Sequence, residues 1–144
     1  MSLVRQQQET KESNVDALNL ENKLTEAEKE GVYALAFDAY TCGNFPEAIK
    51  LFKYLVAANS LAPKYWKGLA SSLQQEGHLQ EAVSSWAMVV LLDENDASSH
   101  FHAAQCLLAL DHKEEALKAI LLAEEMASFD KDLQQNLQNL RNLL

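Results

Sequence analysis

Three short stretches of this chain end in the same Glu-Ala pair: GNFPEA at residues 43–48, GHLQEA at 77–82 and DHKEEA at 111–116. The pairs lie 34 residues apart both times. A fixed spacing of this size indicates a chain built from stacked copies of one structural unit, in which each copy packs on the next.

Other positions follow the same spacing. Small residues recur at Leu35-Ala36, Leu69-Ala70 and Ala103-Ala104, and large apolar residues recur at Phe52, Trp86 and Ile120. A unit of 34 residues is the length of a tetratricopeptide repeat (TPR), which consists of a helix, a short turn and a second helix. We therefore predict an all-α TPR solenoid with three repeats, at residues 29–62, 63–96 and 97–130.

The turns and helix starts agree with this division. Gly43 and Gly77 occupy the same turn position, where a left-handed backbone is needed and glycine adopts it at little cost. Asp111 stands there in the third repeat. The expected helix starts are marked by Thr25 with Glu28, by Pro63 and by Asp96.

Two further segments flank the repeat region of residues 25–130. Residues 1–24 are polar with scattered apolar side chains, and we expect them to be partly disordered or helical. In residues 131–144, four leucines at helical spacing predict an amphipathic helix that caps the exposed end of the array. These are Leu133, Leu137, Leu140 and Leu144. Self-association through this helix is the alternative.

The composition argues against several classes of function. The net charge is −9 and no cluster of Lys or Arg is present, so nucleic acid and anionic membrane surfaces are poor partners. No apolar run approaches the roughly 18 residues that span a bilayer, and the N-terminus lacks the apolar core of a signal peptide. Direct membrane insertion is therefore not expected. With only two cysteines, a reduced cytoplasm is the expected compartment.

The first helix of repeat 1 is apolar on two sides. The face made by Val32, Leu35, Ala36 and Ala39 should pack on the second helix of its own repeat. Tyr33, Phe37 and Tyr40 form a second stripe, which in a TPR stack points into the concave groove. A helix that is apolar nearly all round must be covered on both sides. Three covers are open: residues 1–24, a second copy of the chain, or a partner peptide, which we favour because aromatic residues are effective contact surfaces.

The equivalent groove positions in the later repeats are more polar. They are Lys64, Lys67, Ser71 and Gln74 in repeat 2, and Ser98, Phe101, Gln105 and Leu108 in repeat 3. The groove is thus expected to be aromatic at one end, polar in the middle and apolar at the far end. Ser71, Gln74 and Gln105 could satisfy the backbone of an extended peptide, although plain solvation explains each of them equally well.

No pattern for catalysis or for a cofactor is present. His102 and Cys106 lie one turn apart and could share a metal ion, but His100 and His112 have no ligand spacing that would complete the site. We therefore expect a structural role for them, with Cys106 a small buried apolar residue. There is no phosphate-binding glycine loop and no nucleophile elbow. Neither enzymatic activity nor a cofactor is expected.

The chain resembles the class II chaperones of bacterial type III secretion, which attend the translocator proteins. The resemblance covers roughly Glu30 to Ala127. It is most specific at YALAFDAY (residues 33–40) with Gly43 and Phe45, and also strong at FHAAQCLL (101–108) and LAEE (122–125).

The resemblance implies a function. Members of this family have three TPRs, an N-terminal helical segment and a C-terminal helix, and they keep hydrophobic translocators soluble in the bacterial cytoplasm. Their groove binds an extended N-terminal segment of the client with a Pro-x-Leu-x-x-Pro-like pattern. By position, Tyr33, Phe37, Tyr40 and Phe45 would help to form the pockets for its Pro and Leu side chains. Some members dimerise through the N-terminal region, so a homodimer is an open alternative.

Two other readings concern TPR proteins of different function. One is a scaffold or regulator that joins folded proteins. The other is a TPR clamp for a C-terminal carboxylate, whose Lys, Asn and Arg positions are Tyr33, Phe37 and His102 here. Those residues cannot form such a clamp.

Overall fold

The computed structural model describes residues 24–144, so the predictions for the N-terminal segment, including its cover of the groove and its role in dimerisation, lie outside the described residues. The described range folds into helices joined by short turns, without a strand. The helices are α1 (Glu26–Thr41), α2 (Phe45–Ala58), α3 (Pro63–Glu76), α4 (Leu79–Leu92), α5 (Ala97–Ala109), α6 (Lys113–Met126) and α7 (Lys131–Arg141). Each helix packs on the next along the chain.

Two series of alanines lie where the helices meet. Ala36, Ala70 and Ala104 on the first helices of the repeats are fully buried, as are Ala48, Ala82 and Ala116 on the second helices. Because a methyl group is all that stands between the backbones at these points, the helices can approach closely. Phe52, Trp86 and Ile120 are at most 4% exposed and fill the space beside them. The predicted all-α TPR solenoid is confirmed.

The apolar interior forms two adjoining clusters. The first lies among α1 to α4 and includes Cys106 of α5, while the second lies among α5, α6 and α7. Val83 of α4 packs against both clusters. The core is therefore continuous along the described part of the chain, as expected when each repeat buries its apolar face on its neighbour.

The predicted turns and caps are confirmed. Gly43 and Gly77 have φ angles of 79° and 87°, and Asp111 adopts 62° at the equivalent turn. The hydroxyl oxygen of Thr25 accepts a hydrogen bond from the Glu28 N–H at 3.1 Å. The carboxylate of Asp96 caps α5, and Pro63 is the first residue of α3. These local signals set where each helix begins and ends.

Helix α7 covers the end of the array, where it packs against α5 and α6. Leu137 and Leu140 are buried and Leu133 packs against the same cluster, as the leucine stripe predicted. Leu144 does not continue the stripe. The N–H groups of Leu143 and Leu144 bond to carbonyls three residues back, so the last turn tightens after Arg141 and Leu144 is left 38% exposed.

Gly68 in the middle of α3 is the point where α2 and α3 approach most tightly. A Cβ atom built on Gly68 would overlap the ring of Phe52, which is only 2% exposed and has no free space to move into. The glycine therefore serves packing here, because its φ angle is that of an ordinary helix and imposes no special backbone.

We predict that Gly68→Ala destabilises the protein. The overlap with Phe52 should lower the free energy of unfolding by about 1–2 kcal/mol, even though alanine is the better helix former. The measurement is urea unfolding followed by circular dichroism.

Gly31 of α1 provides the matched control, since a Cβ atom there meets nothing within 4 Å. Gly31→Ala should raise the free energy of unfolding by about 0.5–1 kcal/mol. Equal shifts of the same sign in the two variants would contradict the close approach of Phe52 to Gly68.

Candidate peptide-binding groove

The aromatic stripe of α1 is only partly covered by the repeat that carries it. Tyr33 lies against two core rings, with centroid distances of 6.0 Å to Phe52 and 5.9 Å to Tyr65. The ring of Tyr40 lies 5.6 Å from that of Phe45, at the start of α2. Phe37 remains 53% exposed. Phe37 is therefore the open position of the stripe.

A pocket of about 180 Å³ opens beside Phe37, between α1, α2 and α3. We call it the α1–α3 pocket, and its lining residues are Tyr33, Phe37, Tyr40, Phe52, Lys64, Lys67, Gly68 and Ser71. Pockets for drug-sized ligands have volumes of about 300–1,000 Å³. The smaller volume here suits individual side chains of a bound segment.

The pocket brings together half of the residues that the sequence predicted for the groove, namely Tyr33, Phe37, Tyr40, Lys67 and Ser71. Phe52 and Gly68 belong to it as well and were not predicted as site residues. The signal for Gly68 was a lone glycine inside a helical pattern, which often marks a close approach. Phe52 was assigned to the core alone, yet one edge of its ring also forms the pocket floor.

Both lysines of the pocket are already paired with carboxylates. The Lys64 ammonium bonds to Glu30 of α1, and it also lies 4.9 Å from the centroid of the Tyr33 ring. The hydrogen bond to Glu30 is the main reason why the pKa of Lys64 is raised above its ordinary value, and it outweighs the opposing effect of burial. Lys67 bonds to Asp96 at 2.6 Å. The pocket therefore offers an apolar interior with a neutralised rim, which suits an uncharged side chain.

Asp96 connects this rim to the third repeat. Its carboxylate accepts from the Ser99 N–H at 3.0 Å, which caps α5, and from Lys67 of α3. Burial by itself raises the pKa of Asp96, but the bonds from Lys67 and Ser99 together outweigh burial and leave the pKa below its usual value of 3.8. The ionised form is thus the one that the fold stabilises.

The middle of the groove is a pair of amide side chains. Gln74 of α3 lies one turn beyond Ser71, and its amide nitrogen bonds to the amide oxygen of Gln105 of α5 at 3.3 Å. Trp86 and His102 also bond to this pair. Both glutamines were predicted for the groove, but the structure shows that part of their hydrogen-bonding capacity is used within the protein.

The remaining predicted groove residues lie outside the α1–α3 pocket. Phe45 packs against Tyr40 at the pocket's edge. Phe101 and Leu108 are half-buried and pack against the second core cluster. Their position on α5 extends the apolar surface past the amide pair, while part of each side chain stabilises the third repeat.

Leu35 corrects one expectation about α1. It was predicted to pack inward, but it is 62% exposed, whereas Ala36 beside it is fully buried. Its counterpart Leu69 is only 5% exposed, because α2 precedes α3 and covers it. Within residues 24–144 no helix precedes α1, so Leu35 lacks the neighbour that the repeat pattern assumes.

His102 and Cys106 have structural surroundings. The imidazole of His102 stacks on the Trp86 indole with 4.9 Å between ring centroids. Cys106 is 1% exposed, and burial raises the pKa of its thiol to about 11. In the described range, no group of three or more His, Cys, Asp and Glu side chains is arranged to hold a metal ion. Among those same residues, no helix has both the length and the hydropathy needed to cross a membrane.

Known proteins share this sequence and architecture. The tetratricopeptide repeat family matches residues 30–59 and 63–84. Over 105 residues, the chain is 30% identical to low calcium response locus protein H of Yersinia pestis, covering 73% of this chain and 62% of that protein. The Pseudomonas aeruginosa protein PcrH, solved in complex with the chaperone binding region of PopB, is 28% identical with a TM-score of 0.74. That superposition covers 85% of this chain and 98% of PcrH.

A further structure carries the functional term in its description. The Yersinia enterocolitica type III secretion chaperone SycD, in complex with a peptide of the translocator YopD, superposes with a TM-score of 0.76 at 25% identity. The superposition covers 85% of this chain and 93% of SycD. By sequence and by fold, this chain is a relative of the class II type III secretion chaperones. It spans somewhat less than two thirds (62%) of the length of the Yersinia pestis relative of these chaperones.

We predict that the link through Asp96 contributes to stability in this translocator-chaperone relative. Asp96→Ala removes both the cap of α5 and the partner of Lys67, and should lower the free energy of unfolding at pH 7 by about 1–2 kcal/mol. The pKa of Asp96 in the folded protein lies below its ordinary value, so its stabilisation is present above about pH 4 and is lost as the pH falls through the folded pKa. Urea unfolding at pH 7 and pH 3 measures both effects.

Asp130→Ala is the matched control, because Asp130 caps α7 through the Leu133 N–H in the same way. It should cost about 0.5–1 kcal/mol, the value of a cap alone. If the deficit of Asp96→Ala relative to the unmodified protein stays the same at pH 3, the ionic link to Lys67 does not stabilise the fold.

Proposed function

We propose that this protein is a chaperone of type III secretion translocators that holds an extended client segment in the groove formed by the first helices of its repeats. The observation that carries the proposal is the α1–α3 pocket, an apolar cavity with Phe37 exposed at its mouth and both of its lysines neutralised. The relatives PcrH and SycD, which were solved with segments of PopB and YopD, support the class of partner.

The mechanism is the masking of apolar surface. A translocator must later enter a membrane, so its apolar segments would associate with one another in water. An extended client segment can place one apolar side chain in the α1–α3 pocket while its backbone runs across the amide pair towards Phe101 and Leu108. The aromatic walls provide a large contact area at a small loss of conformational entropy.

The same proposal includes the compartment and the chemistry. The chaperone acts in the bacterial cytoplasm, where it keeps its client competent for secretion, and it binds without catalysing a reaction. Tyr33, Phe37, Tyr40, Lys67 and Ser71 bind an apolar anchor of the client. Phe45 supports Tyr40, and Gln74, Gln105, Phe101 and Leu108 accommodate the rest of the segment.

We predict that Phe37→Ala weakens client binding by at least tenfold, since it removes the exposed wall of the pocket. The probe is a set of overlapping synthetic peptides from the N-terminal regions of the translocators of the same organism. Fluorescence anisotropy measures their affinity, and the tightest binder is called the client peptide below. Because Phe37 is half-exposed, the midpoint of thermal unfolding should change little.

Phe129→Ala is the matched control, since Phe129 is 99% exposed in the turn between α6 and α7 and does not line the pocket. It should bind the client peptide as the unmodified protein does. Equal affinity of the Phe37→Ala variant and the unmodified protein would refute the pocket as the binding site. Failure of every peptide to bind the unmodified protein, together with capture of folded cytosolic proteins, would favour the scaffold function instead.

A further inference from the structure

The amide pair in the middle of the groove has a fixed orientation. The indole N–H of Trp86 can only donate, and it donates to the amide oxygen of Gln74 at 3.1 Å. The amide nitrogen of Gln74 must therefore point the other way, and it donates to the amide oxygen of Gln105 at 3.3 Å. Trp86 is 4% exposed, so this chain of donors starts from a rigid buried group.

His102 completes the arrangement on the other side. Its Nδ1 lies 3.0 Å from the same oxygen of Gln105. That oxygen can only accept, so Nδ1 carries the hydrogen and donates it. The stacking of His102 on Trp86 holds the imidazole in place. The oxygen of Gln105 is thus engaged twice, and its amide nitrogen must face away from both donors.

The amide nitrogen of Gln105 is the donor that this network leaves available. Among residues 24–144 it has no hydrogen-bond partner. Every buried side-chain nitrogen and oxygen of the described residues does have a partner, so this nitrogen reaches the surface. Gln105 is itself half-buried on α5, across from Gln74 on α3. The groove therefore presents one oriented N–H donor beyond the α1–α3 pocket.

We propose that the amide nitrogen of Gln105 donates a hydrogen bond to a main-chain carbonyl of the bound segment, with Gln74 and His102 as the residues that position it. An extended segment leaves its carbonyls unpaired, whereas a helix uses its own carbonyls internally. This donor thus selects an extended segment over a helical one, whatever its side chains are. The inference rests on the proposed function, because it requires a client segment in the groove.

Gln105→Glu is the decisive variant. The carboxylate keeps the oxygen that accepts from Gln74 and His102, but it has no hydrogen to donate and repels a carbonyl. We expect the client peptide to bind about tenfold more weakly, with little change in the midpoint of thermal unfolding. Gln75→Glu is the matched control, because it makes the same change at an exposed position of α3 and should leave binding unchanged.

A second measurement identifies the acceptor. Client peptides in which one main-chain amide at a time is replaced by an ester have one weakened carbonyl each. With the unmodified protein, one of these esters should bind several-fold more weakly than the parent peptide. With Gln105→Glu, that same ester should show no additional loss, since the bond is already absent.

The outcomes separate the two proposals. If the client peptide binds Gln105→Glu as tightly as the unmodified protein while Phe37→Ala loses binding, only the role of Gln105 is refuted. A lowered unfolding midpoint of Gln105→Glu, with equal losses for every ester in both proteins, would also refute it by showing a purely structural role. If the unmodified protein binds no peptide, the proposed function itself fails.

Discussion

The close approach of helices at buried alanines is the constraint on which this structure depends. Six alanines at two repeated positions are fully buried, and each lies where a first or second helix of a repeat meets its neighbour. A larger side chain at any of these points would push two helices apart, because the interior is packed without room to absorb it. The spacing of 34 residues keeps these contacts in register, so the first helices line up along one side. The groove follows from that alignment.

The function depends on where the repeats differ. Only the first repeat carries three aromatic residues on its groove side, and two of them, Tyr33 and Tyr40, are partly covered by Phe52, Tyr65 and Phe45. Phe37 stays open above a pocket whose cations are already paired. In the second and third repeats the equivalent surface is a pair of glutamines held by Trp86 and His102. An apolar anchor site thus lies beside an oriented hydrogen-bond donor, the combination that an extended peptide requires.

Much of the fold could be predicted from the sequence, because its signals are local or repeat along the chain. The left-handed turns, the caps at Thr25 and Asp96 and the buried alanines each depend on a few neighbouring residues and on the repeat spacing. The exposure of Leu35 could not be predicted in this way, since it depends on the lack of a helix before α1 in the described range. The bonding of Gln74 to Gln105 depends on how α3 and α5 rotate relative to each other, which neither helix reveals alone. For the same reason, the contact of Gly68 with Phe52 appeared only in three dimensions.

The central claim is that the exposed ring of Phe37 contacts a client segment, and photo-crosslinking tests it most directly. A photoreactive phenylalanine analogue would replace Phe37 in the full chain, which is then produced together with a translocator from the same organism and irradiated. Mass spectrometry of the crosslinked peptides identifies what lies against the pocket. We expect crosslinks to one short stretch near the N-terminus of the translocator. Crosslinks only to residues 1–24 of this chain or to a second copy of it, with the translocator present, would contradict the account.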